Sequence, residues 1–300
     1  MRIDCLSCVP AALAALLCCA ASVAQSPADG EGGPPFDAGG PPRWSLRFEP
    51  AVYFVGLSGD LTLPGAEGGS FARGELDLAD DLNLDEPRLR PFGEMHYRRG
   101  RLRVTASGFS AGAESGAVAG AGPSGAVITS LGRAPVFGGE EVETELSFVS
   151  AELELGYRVL GGRVGYEDQL GYGVDVYAGA RVHSVGFEGR VIPSSGARTG
   201  GEVLTAEADE LFVEPIVGAR LELELYERFG IDVASSVGGF GAGGRSSFSY
   251  DILTGFWADP MPWLSVQVGF RLLLVDLETG GGFEWGGTAA GLYWGVGVSY

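Results

Sequence analysis

The sequence predicts an all-β fold, an antiparallel transmembrane β-barrel, from three observations. First, from about residue 43 onward the apolar residues recur with a period of two, and no window has the spacing of an amphipathic helix. Second, the candidate strands exceed the ~5–6 residues of ordinary globular strands and reach the ~9–11 residues of a tilted membrane-spanning strand. Third, apolar positions alternate with Gly, Ser and charged residues, which is typical of a barrel with an apolar outer face and a polar lumen.

The alternation is clearest in the last eleven or so residues of the chain. A soluble sandwich would bury the apolar face of this strand in a core, but here the opposite face is mostly Gly and Ser. Lipid cannot hydrogen-bond the backbone, so a β-structure that spans it must be a closed sheet. One face carries Ala290, Leu292, Trp294, Val296, Val298 and Tyr300, and the other carries Gly291, Tyr293, Gly295, Gly297 and Ser299.

Ten candidate strands follow from the pattern and from the turns between them. An even number returns both chain ends to the periplasmic side, where turns are short, and leaves longer loops outside. Long loops are predicted at 58–87, 113–141 and 188–207, and an unusually long turn at 159–168. Because 59–78 could form an extra hairpin above the membrane, eight to twelve strands stay open. The candidates are 44–57, 88–99, 101–112, 142–158, 169–187, 208–226, 229–238, 246–257, 263–277 and 286–300.

Composition narrows the classes of function. The chain has 300 residues, with 39 acidic against 20 basic side chains, a net charge of −19 and a pI near 4.4. Nucleic acid is not expected as a partner, because phosphate recognition needs a basic face. The last of the four cysteines is Cys19, so no disulfide framework, structural zinc site or catalytic thiol is expected downstream of it. We expect no cofactor and no metal.

The N-terminus predicts export. An apolar stretch of signal-peptide length precedes a small-x-small cleavage site at 22–24, and the stretch is too short to cross a bilayer as a helix. This predicts a cleaved signal peptide over 1–24, with a lipoprotein acylated at Cys19 as the alternative. Residues 25–42 are rich in Pro and Gly and predict a disordered leader. The barrel is therefore predicted over 43–300.

Two predicted strands share one polar spacing, an acid followed by Gly four positions later and Arg six positions later. Asp175 and Arg181 lie on one face of the first strand, and Glu214 and Arg220 on one face of the second. If these strands form a hairpin around 188–207, the register that pairs Asp175 with Arg220 also pairs Arg181 with Glu214. The sequence thus predicts two lumen ion pairs, which either fill a narrow barrel or form a charged constriction that selects solutes.

Further polar residues have a structural interpretation and a functional one. Glu94, His96, Arg98 and Arg103 flank a predicted turn and are interpreted as a solvated cluster at the periplasmic rim. The glycine-rich segment 238–244 is interpreted as a flexible outer loop. The acidic residues of the predicted outer loop either are solvated or bind divalent cations together with lipopolysaccharide phosphate; they are Glu140, Glu141, Glu143 and Glu145.

The chain has two histidines, which limits the enzyme mechanisms open to it. His183 lies near the outer end of its predicted strand, where Glu210 could approach it as in a barrel hydrolase. No G-x-S-x-G nucleophile motif and no H-E-x-x-H metal motif accompanies this pair. We therefore predict that the protein is not an enzyme.

Several segments resemble a broad family of uncharacterised, porin-like outer-membrane β-barrel proteins of Gram-negative bacteria. The resemblance covers about 44–300 and implies an outer-membrane location, but that family has no agreed activity. Phe270 and Leu273 stand where the family often has Tyr. The segments are RFEPAVYFVGLSGDLTLPG (47–65), DDLNLDEP (80–87), FVEPIVGARLELELYERFGIDVASSVGGFGAGG (212–244) and WLSVQVGFRLLLVDLE (263–278). The C-terminus also resembles the signal read by the barrel-assembly machinery, which implies that Leu292, Trp294, Val296, Val298 and Tyr300 guide insertion.

These observations predict a monomeric outer-membrane barrel with a structural or narrow-pore role, surrounded by membrane lipid and lipopolysaccharide. An eight-stranded barrel is just filled by side chains, whereas 16–18 strands leave an aqueous channel, so ten strands with charged pairs lie close to the filled limit. One alternative is a surface barrel that binds a ligand or adheres through its loops, for which deletion of 113–141 would abolish binding. The other alternative is a barrel hydrolase that depends on His183.

Overall fold

The structure, a computed structural model, describes residues 44–64, 75–118, 127–132, 134–137, 139–165, 169–193 and 203–300. The predicted signal peptide and leader lie outside these residues. Ten strands close into one antiparallel ring in which the last strand pairs with the first. The all-β barrel of about ten strands is thereby confirmed. Within the described ranges, no helix is long and apolar enough to cross a membrane.

The described residues form thirteen strands: β1 (Trp44–Thr62), β2 (Glu75–Asp77), β3 (Arg88–Arg99), β4 (Leu102–Val118), β5 (Val127–Leu131), β6 (Ala134–Phe137), β7 (Glu141–Val164), β8 (Leu170–Ile192), β9 (Leu204–Leu225), β10 (Phe229–Ala242), β11 (Arg245–Met261), β12 (Leu264–Thr279) and β13 (Glu284–Ser299). The ring runs β1-β3-β4-β7-β8-β9-β10-β11-β12-β13. β2 pairs with the end of β1, where Asp60 lies opposite Asp77, so the extra hairpin considered over 59–78 is present outside the ring. β5 and β6 form a separate hairpin.

The first strand of the ring starts at the same end of the barrel at which the last strand ends, because Arg47 near the start of β1 pairs with Ser299 at the end of β13. We name this the terminal end and the opposite one the loop end. At the loop end a two-residue turn of Gly243 and Gly244 joins β10 to β11, and both glycines have positive φ (63° and 77°). Such turns match the twist of paired strands. The interpretation of 238–244 as a flexible loop is therefore wrong, since most of it is strand.

Three neighbouring strands extend far beyond the length that a membrane requires. β7, β8 and β9 have 24, 23 and 22 residues, against the ~9–11 needed to cross a bilayer. Where they are described, the loops predicted at 113–141 and 188–207 are largely strand, so those loop boundaries are wrong. The reason is that the outward face becomes charged toward the loop end, as at Glu143 and Glu145, and the apolar alternation disappears while the pairing continues.

The turn predicted at 159–168 is also mostly strand. β7 continues to Val164, but its register with β8 shifts between Arg158 and Leu160. The extra residue, Val159, forms a β-bulge that moves the following side chains to the opposite faces. The period of two is therefore interrupted although the strand does not end.

The outward face of the ring carries an apolar band. On β12, Val266 and Val268 are 51% and 49% exposed, and the outward apolar residues of β1, β9 and β13 are exposed to similar extents. A band of this kind is the surface that a membrane-spanning barrel presents to lipid. The inward side chains divide into a charged half toward the terminal end and an apolar half toward the loop end. Members of the apolar half include Tyr53, Leu57, Phe109, Phe148, Leu273, Leu277, Trp285 and Tyr293.

Candidate functional site

The charged half of the lumen concentrates the buried ionisable groups of the described chain. Each member lies at an inward position of its strand, because side chains two residues apart share one face of a strand. Its buried residues are Glu49, Glu94, His96, Arg103, Glu154, Asp175, Arg181, His183, Glu214, Arg220, Asp251 and Arg271, and Glu152 joins them with a side chain that is 8% exposed.

Arg181 reaches across the lumen from β8. Its guanidinium donates hydrogen bonds to Glu152 Oε2 on β7 (2.6 Å), Asp251 Oδ2 on β11 (2.9 Å) and Ser236 Oγ on β10 (2.7 Å). A fourth bond goes to Ser249 Oγ (2.8 Å), and a fifth runs from Nε to Glu152 Oε2 (3.0 Å). Arg181 is fully buried, and a buried charge is tolerated when it is paired and hydrogen-bonded in this way. One side chain therefore connects four strands.

Arg271 on β12 completes this layer. It donates to Asp251 Oδ2 (2.5 Å) and to Glu152 Oε1 (3.0 Å). Its Cζ atom lies 4.9 Å from the ring centroid of Phe109, a cation–π contact at the border with the apolar half. We name Arg181, Arg271, Glu152 and Asp251 the middle cluster.

β8 and β9 pair in the register that the spacing predicts, with Asp175 opposite Arg220 and Arg181 opposite Glu214. The side chains form one of the two predicted ion pairs, the long contact between Arg181 and Glu214, and do not form the other. Arg181 Nη1 is a distant 3.9 Å from Glu214 Oε1, and Asp175 Oδ1 binds Arg158 Nε at 2.7 Å instead of Arg220. The reason is that Asp175 also lies opposite Arg158 on its other neighbouring strand, β7, and pairs with that side chain instead.

Asp175 belongs to a second group, which we name the rim cluster: Arg98, Arg103, Arg158, Asp175 and Glu222. Glu222 accepts a hydrogen bond from Arg98 (2.8 Å) and is in direct contact with Arg103 and Arg158. Asp175 also accepts from Arg98 (3.2 Å). Arg98 and Arg103 thus lie near the turn that the sequence indicates, but the solvated state predicted for them is wrong for Arg103, whose side chain is only 10% exposed.

Glu94 and His96 are also buried rather than solvated, which corrects the rim interpretation for them. They face Glu49 of the neighbouring strand β1, and we name Glu49, Glu94 and His96 the seam cluster. His96 Nε2 is 3.1 Å from Glu49 Oε2, and Arg103 Nη2 is 3.1 Å from His96 Nδ1. Because arginine can only donate, Nδ1 is the acceptor and the ring proton on Nε2 is donated to Glu49.

Arg220 lies between two carboxylates of this half. Its Nη2 atom is 3.6 Å from Glu154 Oε2 and 3.9 Å from Glu94 Oε1, so both contacts are longer than hydrogen bonds. The sequence predicts Asp175 as the partner of Arg220 and does not predict Glu154 or Glu94.

The acid beside His183 is Glu214, not Glu210. His183 Nε2 is 3.3 Å from Glu214 Oε1, whereas Glu210 binds Arg245 Nη2 at 2.9 Å near the loop end. Ser249 donates to the same oxygen of Glu214, so the acid lies between Ser and His instead of behind the His as in a hydrolytic triad. Within the described part of the chain, His183 and Glu214 are fully buried.

The acidic residues considered for cation binding separate into two environments. Glu140 is buried, and its carboxylate accepts the backbone N–H of Phe137 (2.9 Å), so it is neither solvated nor a surface ligand. Glu145 is exposed on β7 and lies in a cross-strand row with Glu114 and Glu188. Cation binding by the exposed members stays a prediction.

The residues of the implied insertion signal lie on β13 and at the chain end. Leu292, Trp294 and Val296 are about half exposed on the outward face, Val298 is half-buried, and Tyr300 is exposed. On the outward face, Leu292 pairs with Phe54 across the closing strands. Their role in insertion stays a prediction.

Sequence reasoning missed several members of the three clusters, which are Glu49, Glu152, Arg158, Glu222, Asp251 and Arg271. A signal was available for Glu152 and Glu222, because each occupies the polar face of a predicted strand. That signal gives a position on the lumen wall but not a partner. The partners come from strands far away in sequence, as with Glu152 and Arg271.

No protein-family model matches the chain, and no curated protein matches it. Solved structures with a similar fold include the outer-membrane protease OmpT of Escherichia coli, with 12% identity over 85% of this chain and 97% of that one and a TM-score of 0.46. Neisserial surface protein A has 13% identity over 85% and 96%, with a TM-score of 0.32. Ail, the attachment invasion locus protein of Yersinia pestis, has 10% identity over 85% and 99%, with a TM-score of 0.30. These neighbours are Gram-negative outer-membrane β-barrel proteins.

Proposed function

We propose that the chain is an integral outer-membrane protein with a closed barrel and a structural role, not a general pore. The apolar outward band supports its placement in a bilayer. The inward side chains support closure, since both halves of the lumen are occupied by buried groups.

The observation that carries this proposal is the middle cluster. Arg181 and Arg271 hold Glu152 and Asp251 from both sides, with donor–acceptor distances of 2.5–3.0 Å. For an ion to pass, these bonds would have to break and leave charged groups buried without partners, which is costly. A solute path through this layer is therefore disfavoured in the resting barrel.

The apolar half adds a second barrier above the middle cluster. Phe148 and Trp285 pack edge-to-face with ring centroids 4.9 Å apart, and both are fully buried. Beyond them, Leu82 and Leu84 from the segment between β2 and β3 are buried in the same cluster of apolar side chains. A layer of this kind offers water and ions few hydrogen-bonding partners.

The test is electrical conductance of the chain without its predicted signal peptide, residues 25–300, in a planar bilayer. A heat-modifiable shift on a gel first shows that the barrel has folded. We expect no stable conductance steps from the wild type. The variant that combines Arg181→Ser with Asp251→Ser removes one charge of each sign from the middle cluster and serves as the opened comparison.

Stable wild-type steps with a preference for cations would contradict the closed-barrel proposal and favour the narrow pore. A silent wild type and a conducting double variant would support the middle cluster as the barrier. The adhesion alternative is compatible with a closed barrel, but deletion of 113–141 would remove the end of β4 and the β5–β6 hairpin, so it cannot test binding alone.

A further inference from the structure

We propose that the seam cluster is a binding site for a transition-metal ion, with Zn²⁺ as the best-suited probe. Glu49 supplies one ligand from β1, and Glu94 and His96 supply two from β3. This inference goes beyond the structural role and does not depend on whether the barrel conducts. It also revises the expectation, drawn from the positions of the cysteines, that the chain has no metal site.

The geometry of the three side chains fits a single ion. Their ligand atoms all lie within 4.8 Å of one another, with His96 Nε2 3.1 Å from Glu49 Oε2 and 3.9 Å from Glu94 Oε2. Two ligands bound to Zn²⁺ at ~2.0–2.2 Å lie about 3–3.5 Å apart, so small side-chain rotations bring all three into range. One imidazole and two carboxylates form a ligand set typical of Zn²⁺ and related ions, whereas Mg²⁺ and Ca²⁺ prefer oxygen ligands alone.

The charges around the seam cluster favour an added cation. Glu49, Glu94 and Glu154 are each at least 95% buried, and the cations nearest to them are Arg47 and Arg220. Half-buried Asp232 lies beside them and lines one cavity together with Glu49 and Glu94. Arg103 offsets only part of this excess, because its Nη2 atom contacts His96 while its Nη1 atom pairs with Asp175 and Glu222 of the rim cluster. A surplus of buried negative charge is costly, and a divalent cation would neutralise it.

Glu94 is the least satisfied member of the cluster. Among the described residues its carboxylate has no hydrogen-bond partner, and the nitrogen atoms of His96 and Arg220 that approach it are both 3.9 Å away. A carboxylate that is 95% buried ordinarily accepts several hydrogen bonds. Its oxygens are therefore available to a metal ion.

The cluster also has space for an ion and its water ligands. A cavity of about 220 Å³ is lined by all three side chains and continues to Ser45 and Asp259 near the terminal end. A site with three protein ligands keeps at least one position for water. The cavity provides both that position and an entry path.

Binding requires two local changes, a new tautomer of His96 and a movement of Arg103. The metal takes the position of the proton on Nε2, and that same proton moves to Nδ1. The Nδ1 atom faces Thr105 Oγ1 at 3.2 Å. Thr105 can accept this hydrogen bond and fix the ring, as the outer partners of metal-binding histidines do. Arg103 turns from Nδ1 toward Glu222, which it already contacts. The ion would then connect β1, the strand at which the ring closes, to β3.

The first test measures Zn²⁺ binding to the folded wild-type barrel in detergent by isothermal titration calorimetry. We expect one tight site per chain, and an affinity lowered by at least about tenfold in His96→Gln and in Glu94→Gln, since each removes a ligand. His183→Gln is the matched control, because it alters the other buried histidine and leaves the seam cluster intact. Equal affinities in all four proteins, or no tight site in the wild type, would overturn the proposal.

The second test needs no variant and therefore does not depend on how the variants fold. X-ray absorption of the Zn²⁺-loaded wild type should show one imidazole nitrogen together with oxygen neighbours at about 2.0–2.2 Å. A shell of oxygen alone would assign the ion to surface carboxylates and overturn the seam site. Because neither readout measures conductance, this result is separate from the test of the closed barrel.

Discussion

The two halves of the lumen are held together by different kinds of interaction. In the charged half, Arg181 is fixed by five directional hydrogen bonds to groups on three other strands. In the apolar half, Phe148 and Trp285 are fixed by contact with neighbouring rings and aliphatic side chains. The first kind of interaction depends on the identity and orientation of each partner, and the second depends on volume.

This difference teaches where the barrel is sensitive to change. Buried charges lose their hydration on folding, so their partners must replace it. Removing one partner leaves the other charged groups buried without a counter-charge. Apolar cores tolerate substitutions that conserve volume. We therefore expect the charged half to be intolerant of conservative changes and the apolar half to be tolerant of them, although both are equally buried.

Arg181→Met is expected to give the largest loss of stability. It leaves Glu152 and Asp251 buried with Arg271 as their remaining guanidinium, and breaking a buried ion pair costs about 3–5 kcal/mol. The measurement is urea-induced unfolding in detergent, followed by tryptophan fluorescence. Arg181→Lys should recover little of this loss, because an ammonium group cannot reproduce the five hydrogen bonds of the planar guanidinium. Full rescue by lysine would show that charge alone, and not directional bonding, holds this half.

Leu277→Ala probes the apolar half and is expected to cost somewhat less. Leu277 is fully buried on β12, and truncation of a buried leucine costs about 2–4 kcal/mol through lost burial and the cavity left behind. Leu277→Met, which nearly conserves volume, should cost less than about 1.5 kcal/mol in the same unfolding experiment. If methionine proved as damaging as alanine, the apolar half would be as specific as the charged half, and the contrast between them would fail.

The contrast also explains what the sequence could predict. Alternation along single strands identifies the barrel, its outward band and the inward position of residues such as Arg181. The register of β8 with β9 was predictable as well, because in a hairpin one opposed pair determines all the others. These features depend on neighbours along the chain or across one turn.

The partners within the charged half were not predictable in the same way. Asp251 meets Arg181 across 70 positions of sequence, and Arg271 meets Glu152 across 119. Such contacts depend on how many strands close the ring and on their stagger, which alternation does not encode. The bulge at Val159 and the charged extensions of β7 to β9 were missed for a related reason, since each interrupts the pattern of apolar residues without ending the strand.

Arg190→Ala is expected to change the stability least. It tests an exposed ion pair outside the lumen against the buried ion pairs of Arg181. Arg190 on β8 binds Glu188 with hydrogen bonds of 2.6 and 3.0 Å, as short as those of Arg181, but its side chain is 50% exposed. Water hydrates both partners when such a pair is broken, so exposed pairs contribute little to stability. The urea midpoint should therefore equal that of the wild type, with Arg181→Met measured alongside as the buried counterpart. A shift as large as that of Arg181→Met would mean that the ion pair itself, and not its burial, sets the strength of the charged half.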